Sequence, residues 1–160
     1  MRYTRNTTTG KIFENHVCKD VIPNKDTSLL DLSKDNLYRY LKSNGLDWRK
    51  VVSETKKPDK AMFHLKTKEF NVYEIKFQKS GGSADEKIAE GPYFLEYYTK
   101  IGKLLGASKV TFHYVLSPWF KKKKYKDVLD YIVRNGCSYT ILDDEEELKE
   151  FHFGYVGRSV

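Results

Sequence analysis

The stretch Pro58-Asp59-Lys60-Ala61-Met62-Phe63-His64-Leu65, followed by Lys66-Thr67-Lys68-Glu69 and then Phe70-Asn71-Val72-Tyr73-Glu74-Ile75-Lys76-Phe77-Gln78, reads as two apolar runs joined by a polar turn. Val72 to Phe77 has strand character. Side chains at i and i+2 of a strand share a face, so Glu74, Lys76 and Gln78 project together while Tyr73, Ile75 and Phe77 face the other way. Asp59 opens the neighbouring run, and antiparallel pairing across residues 66–69 would bring it back towards Glu74. Two carboxylates and one ammonium at one end of a hairpin can hold a hard divalent cation and activate a water beside it. Glu and Lys at this spacing are also common on solvated sheet faces, and Pro-Asp is a frequent turn dipeptide. The apolar strand, the acid at hairpin distance and the glycine-rich turn that follows favour a site.

Working outward, Phe13, Val17 and Val21 recur at helical spacing from about Thr9-Gly10, and Pro23 stops the run. Leu29 to Leu32 is ambiguous. Ser33 is expected to cap a helix with apolar residues Leu37, Tyr40 and Leu41, ended by Asn44-Gly45. Trp48 sits in a short helix or irregular segment. Beyond the hairpin, Lys79-Ser80-Gly81-Gly82 breaks the strand. Ser83 and Glu86 match a capping box opening a helix towards Leu105, with Gly91-Pro92 bending or splitting it. Lys109–Leu116 alternates as a strand. Lys123–Arg134 reads as a helix with Val128, Leu129, Ile132 and Val133 as its stripe, Ser138–Leu142 is a strand, and a short helix is expected in the acidic tail. This order predicts an α/β fold, a central mixed sheet with helices on both faces.

Pro58-Asp59, Glu74-Ile75-Lys76 and Gln78 together resemble the PD-(D/E)XK nuclease superfamily, which includes many type II restriction endonucleases. The likeness runs over roughly residues 10 to 142, with its specific part confined to those few positions. It implies a restriction-endonuclease-like mixed central β-sheet flanked by helices. It also implies that Asp59 and Glu74 bind magnesium, with manganese expected to substitute, and that Lys76 sits beside the attacking water. The backbone carbonyl of Ile75 can complete the ligand set. Gly10-x-x-Phe13-Glu14 is similar to the helix that often contributes an acid in this superfamily, which makes Glu14 a third candidate ligand. The implied activity is metal-dependent hydrolysis of DNA phosphodiester bonds, by a type II restriction endonuclease or its nicking subunit. Holliday-junction-resolving, repair and homing endonucleases would use the same residues. One site cuts one strand, so a homodimer or a second subunit is the expected partner.

Composition agrees with a polyanionic partner. The formal charge is +7, yet residues 143–151 carry a net −5, which leaves +12 on the remainder. A non-catalytic nucleic-acid-binding module would show the same bias. At 160 residues the chain is expected to form one domain, too short for a separate target-reading domain. Cys18 and Cys137 are too few for a disulfide framework or a cysteine-based zinc site. The N-terminus lacks the apolar run of a signal peptide and no segment approaches membrane-spanning length, so a cytoplasmic protein is expected.

Three further groups are candidates. Gln78 could touch a phosphate or order the site, or supply ordinary edge polarity. Ser80, Gly81, Gly82, Ser83 and Lys87 could grip a phosphate at a helix N-terminus, or simply connect strand to helix. Lys121, Lys122, Lys123 and Lys124 form either a solvated face or a set of phosphate contacts that position a duplex without reading it. His64 and His113 lie in strand runs and read as structural, and Tyr93, Tyr97 and Tyr98 read as core or subunit packing.

Overall fold

The structure, a computed structural model, describes residues 28–78, 80–82, 84–143, 147, 150, 151 and 153. Its frame is a five-stranded sheet in the order β1-β2-β3-β4-β5: β1 Leu29–Asp31, β2 Lys60–His64, β3 Glu69–Lys76, β4 Lys109–Leu116 and β5 Ser138–Ile141. The first three strands form an antiparallel meander, and β4 and β5 add in parallel to β3. Both parallel steps cross over through helix, as parallel neighbours require. The helices are α1 Asn36–Ser43, a short α2 Ala84–Lys87, α3 Gly91–Leu105 and α4 Lys126–Arg134. The fold is therefore α/β with a mixed central sheet.

The β3 alternation divides the core. Phe70 and Val72 join the larger apolar cluster with Leu37 and Leu41 of α1, Tyr97, Tyr98 and Ile101 of α3, and Leu129 and Ile132 of α4. Tyr73 and Ile75 lie in a smaller cluster with Met62, Val115, Leu142 and Phe153. The expectation of helices on both faces is met on one: among the described residues, α1, α3 and α4 all pack into the larger cluster, and the helix expected around Phe13 and most of the acidic tail lie outside the described residues. The order β3-β4-β5 explains this for α3 and α4. Two successive right-handed crossovers stepping in the same direction put both helices on one side. The opposite face is covered by Leu142, Phe151 and Phe153.

Three local expectations also change. Ser33 does not cap α1: its hydroxyl donates to Asp31, and Asp35 holds the N-cap position. Tyr38 rather than Tyr40 is buried on that helix. The segment expected to be helical from Lys123 begins as a 3-10 turn, Lys123–Tyr125, and Val133 is 51% exposed, so the buried stripe of α4 narrows to Leu129 and Ile132. As expected from Gly91-Pro92, the helix that follows the glycine-rich turn is split: α2 spans four residues and a 3-10 turn, Ile88–Glu90, precedes α3, whose second residue is Pro92. Gly91 is required at that junction. A Cβ there would lie 2.9 Å from Cε2 of the Tyr114 ring and 3.2 Å from Cys137 Sγ.

Candidate active site

The hairpin register pairs Lys60 with Tyr73, which sets the preceding Asp59 opposite Glu74. The Ile75 N–H donates to Asp59 Oδ2 at 2.9 Å, tying that carboxylate to the strand between Glu74 and Lys76. On the helix-covered face of β3, Lys76 Nζ donates to Glu74 Oε1 at 2.6 Å. Both side chains are about one-fifth exposed, at 19% and 20%, so the site opens to solvent at the C-terminal end of the strand. Asp59, Glu74, Ile75 and Lys76 are thus brought together. Burial and the neighbouring Asp59 carboxylate push the Glu74 carboxyl up to about 7, against the opposing pull of Lys76.

Two features of this site carry no signal in a linear reading. The first is Lys34, in the turn between β1 and α1. Its Nζ lies 2.7 Å from Asp59 Oδ1, and its backbone N–H donates to the Pro58 carbonyl at 2.8 Å. It holds φ at +52°, a left-handed conformation unusual for a side chain of its kind. The second is a group of tyrosines beneath the loop leading to Pro58. Tyr38 and Tyr97 hydroxyls meet at 2.8 Å, and each accepts the Lys56 N–H at 3.0 Å. Tyr97 donates to the Glu54 carbonyl at 2.8 Å, and Tyr38 donates to the Lys56 carbonyl. Tyr97 and Tyr98, expected only to pack, therefore also fix the backbone three residues before Asp59. Burial and then the surrounding charges, Glu74 and Asp59 among them, hold the Tyr98 phenol above its ordinary value, so it stays a neutral donor.

The C-terminal end of β4 adjoins the site. The Ser117 N–H donates to the Lys76 carbonyl at 3.1 Å, and its hydroxyl both accepts the Gln78 N–H at 3.2 Å and donates to the Gln78 carbonyl at 3.1 Å. Gln78 is buried beyond the end of β3, bound to the β4 terminus. A 3-10 turn, Pro118–Lys121, follows directly and leads into the basic run. There the lysines are exposed but not equivalent. Lys121 pairs with Asp143, and Lys122 Nζ sits 3.3 Å from the Trp119 ring centroid. Lys124 lies 4.9 Å from the Tyr125 ring, whose hydroxyl receives the Trp119 indole N–H at 2.6 Å, while Lys123 is simply exposed. Such cation–π contacts set the direction of a lysine without neutralising it.

The remaining candidates are placed less decisively. Ser80, Gly81 and Gly82 are exposed, and a Cβ at Gly81 would meet nothing within 4 Å, so packing does not require glycine at that position. Lys87 is exposed at the end of α2, a helix too short to accumulate much dipole at its N-terminus. Glu14 and Ser83 lie outside the described residues. His113 is structural: it is buried between Ser138 Oγ at 2.7 Å and Thr140 Oγ1 at 2.9 Å, and burial lowers it to about 4.

Magnesium takes oxygen ligands and retains several waters, so few protein donors suffice. Among the described residues no group of three or more His, Cys, Asp and Glu side chains could hold a metal ion. The residues that could hold such an ion are the Asp59–Glu74 carboxylate pair, with the Ile75 carbonyl as the third oxygen expected from sequence. The buried Asp59 carboxylate, lying against a Glu74 carboxyl whose proton affinity it raises, fits a divalent cation, which would relieve their repulsion. No helix among the described residues is long and apolar enough to cross a membrane. Comparison with family models, with curated proteins and with solved structures finds no match for this chain.

Proposed function

We propose that this chain is a magnesium-dependent endonuclease that hydrolyses DNA phosphodiester bonds, similar to a type II restriction endonuclease or its nicking subunit. The observation that carries the reading is the convergence of Asp59, Glu74 and Lys76 at one open strand end, with Asp59 fixed by the Ile75 N–H. Phosphodiester hydrolysis needs an in-line water and neutralisation of the charge that develops on the phosphorus oxygens and the leaving oxygen. A magnesium ion at the carboxylates would supply a water of lowered pKa and part of that neutralisation. Lys76, beside Glu74, is positioned to orient the attacking water and to offset charge on the scissile phosphate. The Ile75 N–H and the tyrosines under residues 54–56 keep Asp59 from following the substrate out of place.

The +12 body and the aligned Lys122 and Lys124 at the adjoining strand end support a duplex lying across the C-terminal ends of β3 and β4. A double-strand break would use a second copy of the site or a partner subunit. The test is a panel of plasmid, single-stranded and branched DNA incubated with magnesium. Cleavage is expected in at least one, with loss on chelation and in Glu74→Ala and Lys76→Ala; cleavage unchanged in both variants would locate the chemistry elsewhere.

A second reading, a non-catalytic nucleic-acid-binding module, draws on one observation. Each acid of the pair already has a lysine against it, Lys34 on Asp59 and Lys76 on Glu74, as structural ion pairs would. DNA binding that survives chelation, without nicking on any substrate of the panel, would favour it.

A further inference from the structure

Asp59 has two carboxylate oxygens, and both are engaged differently. Oδ2 accepts the Ile75 N–H, a bond made by the strand itself, while Oδ1 receives the Lys34 ammonium at 2.7 Å. The Asp59 side chain is 11% exposed and that of Lys34 is 49% exposed. The carboxylate is therefore fixed in the protein and its ammonium partner reaches it from the solvent side. The chain accepts an unfavourable backbone to do this. Lys34 holds φ at +52°, and the same residue's N–H anchors the Pro58 carbonyl next to Asp59. Glycine at that position would remove the backbone penalty, and with it the ammonium that meets Asp59.

We infer that the Lys34 ammonium occupies the cation position of Asp59 in the metal-free protein and must leave Oδ1 for a divalent cation to bind there. Lys34 is then a positioning residue for the metal site, resting on the nuclease reading above. The ammonium keeps the buried carboxylate neutralised when no metal is present, and its long half-exposed stem lets it withdraw with little rearrangement. The displaced charge stays within one side-chain length of the carboxylates, on the solvent side from which a phosphate would approach. Metal binding and the Lys34–Asp59 contact are therefore competitive.

The experiment is a magnesium and manganese titration of the metal-free full chain, followed by calorimetry and by the rise in melting temperature, for wild type, Lys34→Met, Lys34→Gly, Lys34→Arg and Lys57→Met. Lys34→Gly suits the left-handed backbone, so it remains folded if Lys34→Met does not. Lys57 pairs with Asp35 in the neighbouring loop and controls for the loss of one positive charge alone. Removal of the ammonium should tighten the metal by roughly two- to fivefold, the upper range of a single partly exposed ion pair. Lys34→Arg and Lys57→Met should bind as wild type does. Unchanged or weaker metal binding in both Lys34→Met and Lys34→Gly, with Glu74→Gln still abolishing it, overturns the competition and leaves the nuclease reading standing. An equal gain in Lys57→Met overturns it as well, because charge alone would then suffice. Absence of metal binding in wild type and in every Lys34 variant overturns both.

Discussion

Replacing Glu74 with Gln should stabilise the metal-free protein above neutral pH while removing its chemistry. Burial and Asp59 raise the Glu74 carboxyl from its ordinary 4.5 to about 7, so the folded state binds a proton over that window more tightly than the unfolded chain does. Stability conferred by that proton is complete below pH 4.5 and is lost as pH rises through 7. At about 1.4 kcal/mol per pH unit, the loss is about 3 kcal/mol. His113 acts in the opposite sense. Burial lowers it from 6.5 to about 4, so the unfolded state takes up the proton first, and stability is complete above 6.5 and lost as pH falls towards 4. Its contribution is also about 3 kcal/mol, so the two slopes largely cancel in the wild type between pH 4.5 and 6.5.

Glu74→Gln unmasks His113. In EDTA, urea unfolding of the variant should show stability climbing by about 3 kcal/mol from pH 4 to 6.5 and then levelling. Wild type should stay nearly flat to 6.5 and decline slightly beyond it. At pH 8 the variant should melt about 5–10 °C higher than wild type, less whatever the lost Lys76 contact contributes. Magnesium should raise the melting temperature of wild type and leave the variant unmoved. A variant less stable than wild type at pH 8, with a parallel pH profile, would refute the claim that the Asp59–Glu74 pair is in electrostatic conflict.

Other perturbations probe the frame and the approach of DNA. Lys60 is buried, with its side chain 4% exposed and its ammonium 3.1 Å from Asp31, so Asp31→Asn should cost about 3–5 kcal/mol in chemical unfolding by stranding that charge. Gly91→Ala should cost about 1–3 kcal/mol, because the new methyl meets the buried Tyr114 ring and Cys137; a neutral result would mean α3 can shift at its start. Lys122→Gln with Lys124→Gln should weaken duplex binding and make the slope of log affinity against log salt shallower by roughly 0.9 per lost phosphate contact. A steeper slope in the double variant would remove these lysines from the interface.

Much of the sheet was legible because strand periodicity is local. The β3 pattern set Glu74 and Lys76 on the face opposite Tyr73 and Ile75, and a turn of four polar residues left antiparallel pairing as the way to bring Asp59 back. What was not legible depends on contacts between distant residues or on dihedral angles. Lys34 lies 25 positions from Asp59 and reaches it through a left-handed turn that no local propensity favours. Tyr97 and Tyr98 look like ordinary apolar helix positions until the fold lays their hydroxyls under residues 54–56. Ser33 has the composition of a helix cap, but Asp31 two residues away competes for its hydroxyl. That α3 and α4 share one face of the sheet follows from strand order, which the sequence of elements alone does not specify.

Asp59, Glu74 and Lys76 are proposed to form a metal-dependent phosphodiesterase site. Its most direct test is the conversion of supercoiled plasmid to nicked circle by the purified full chain, with ends mapped, in magnesium and in EDTA, for wild type beside Lys76→Ala. Nicking in magnesium that stops in EDTA and falls at least about a hundredfold in Lys76→Ala is the predicted result. Nicking at the wild-type rate in Lys76→Ala, or in EDTA, would contradict it.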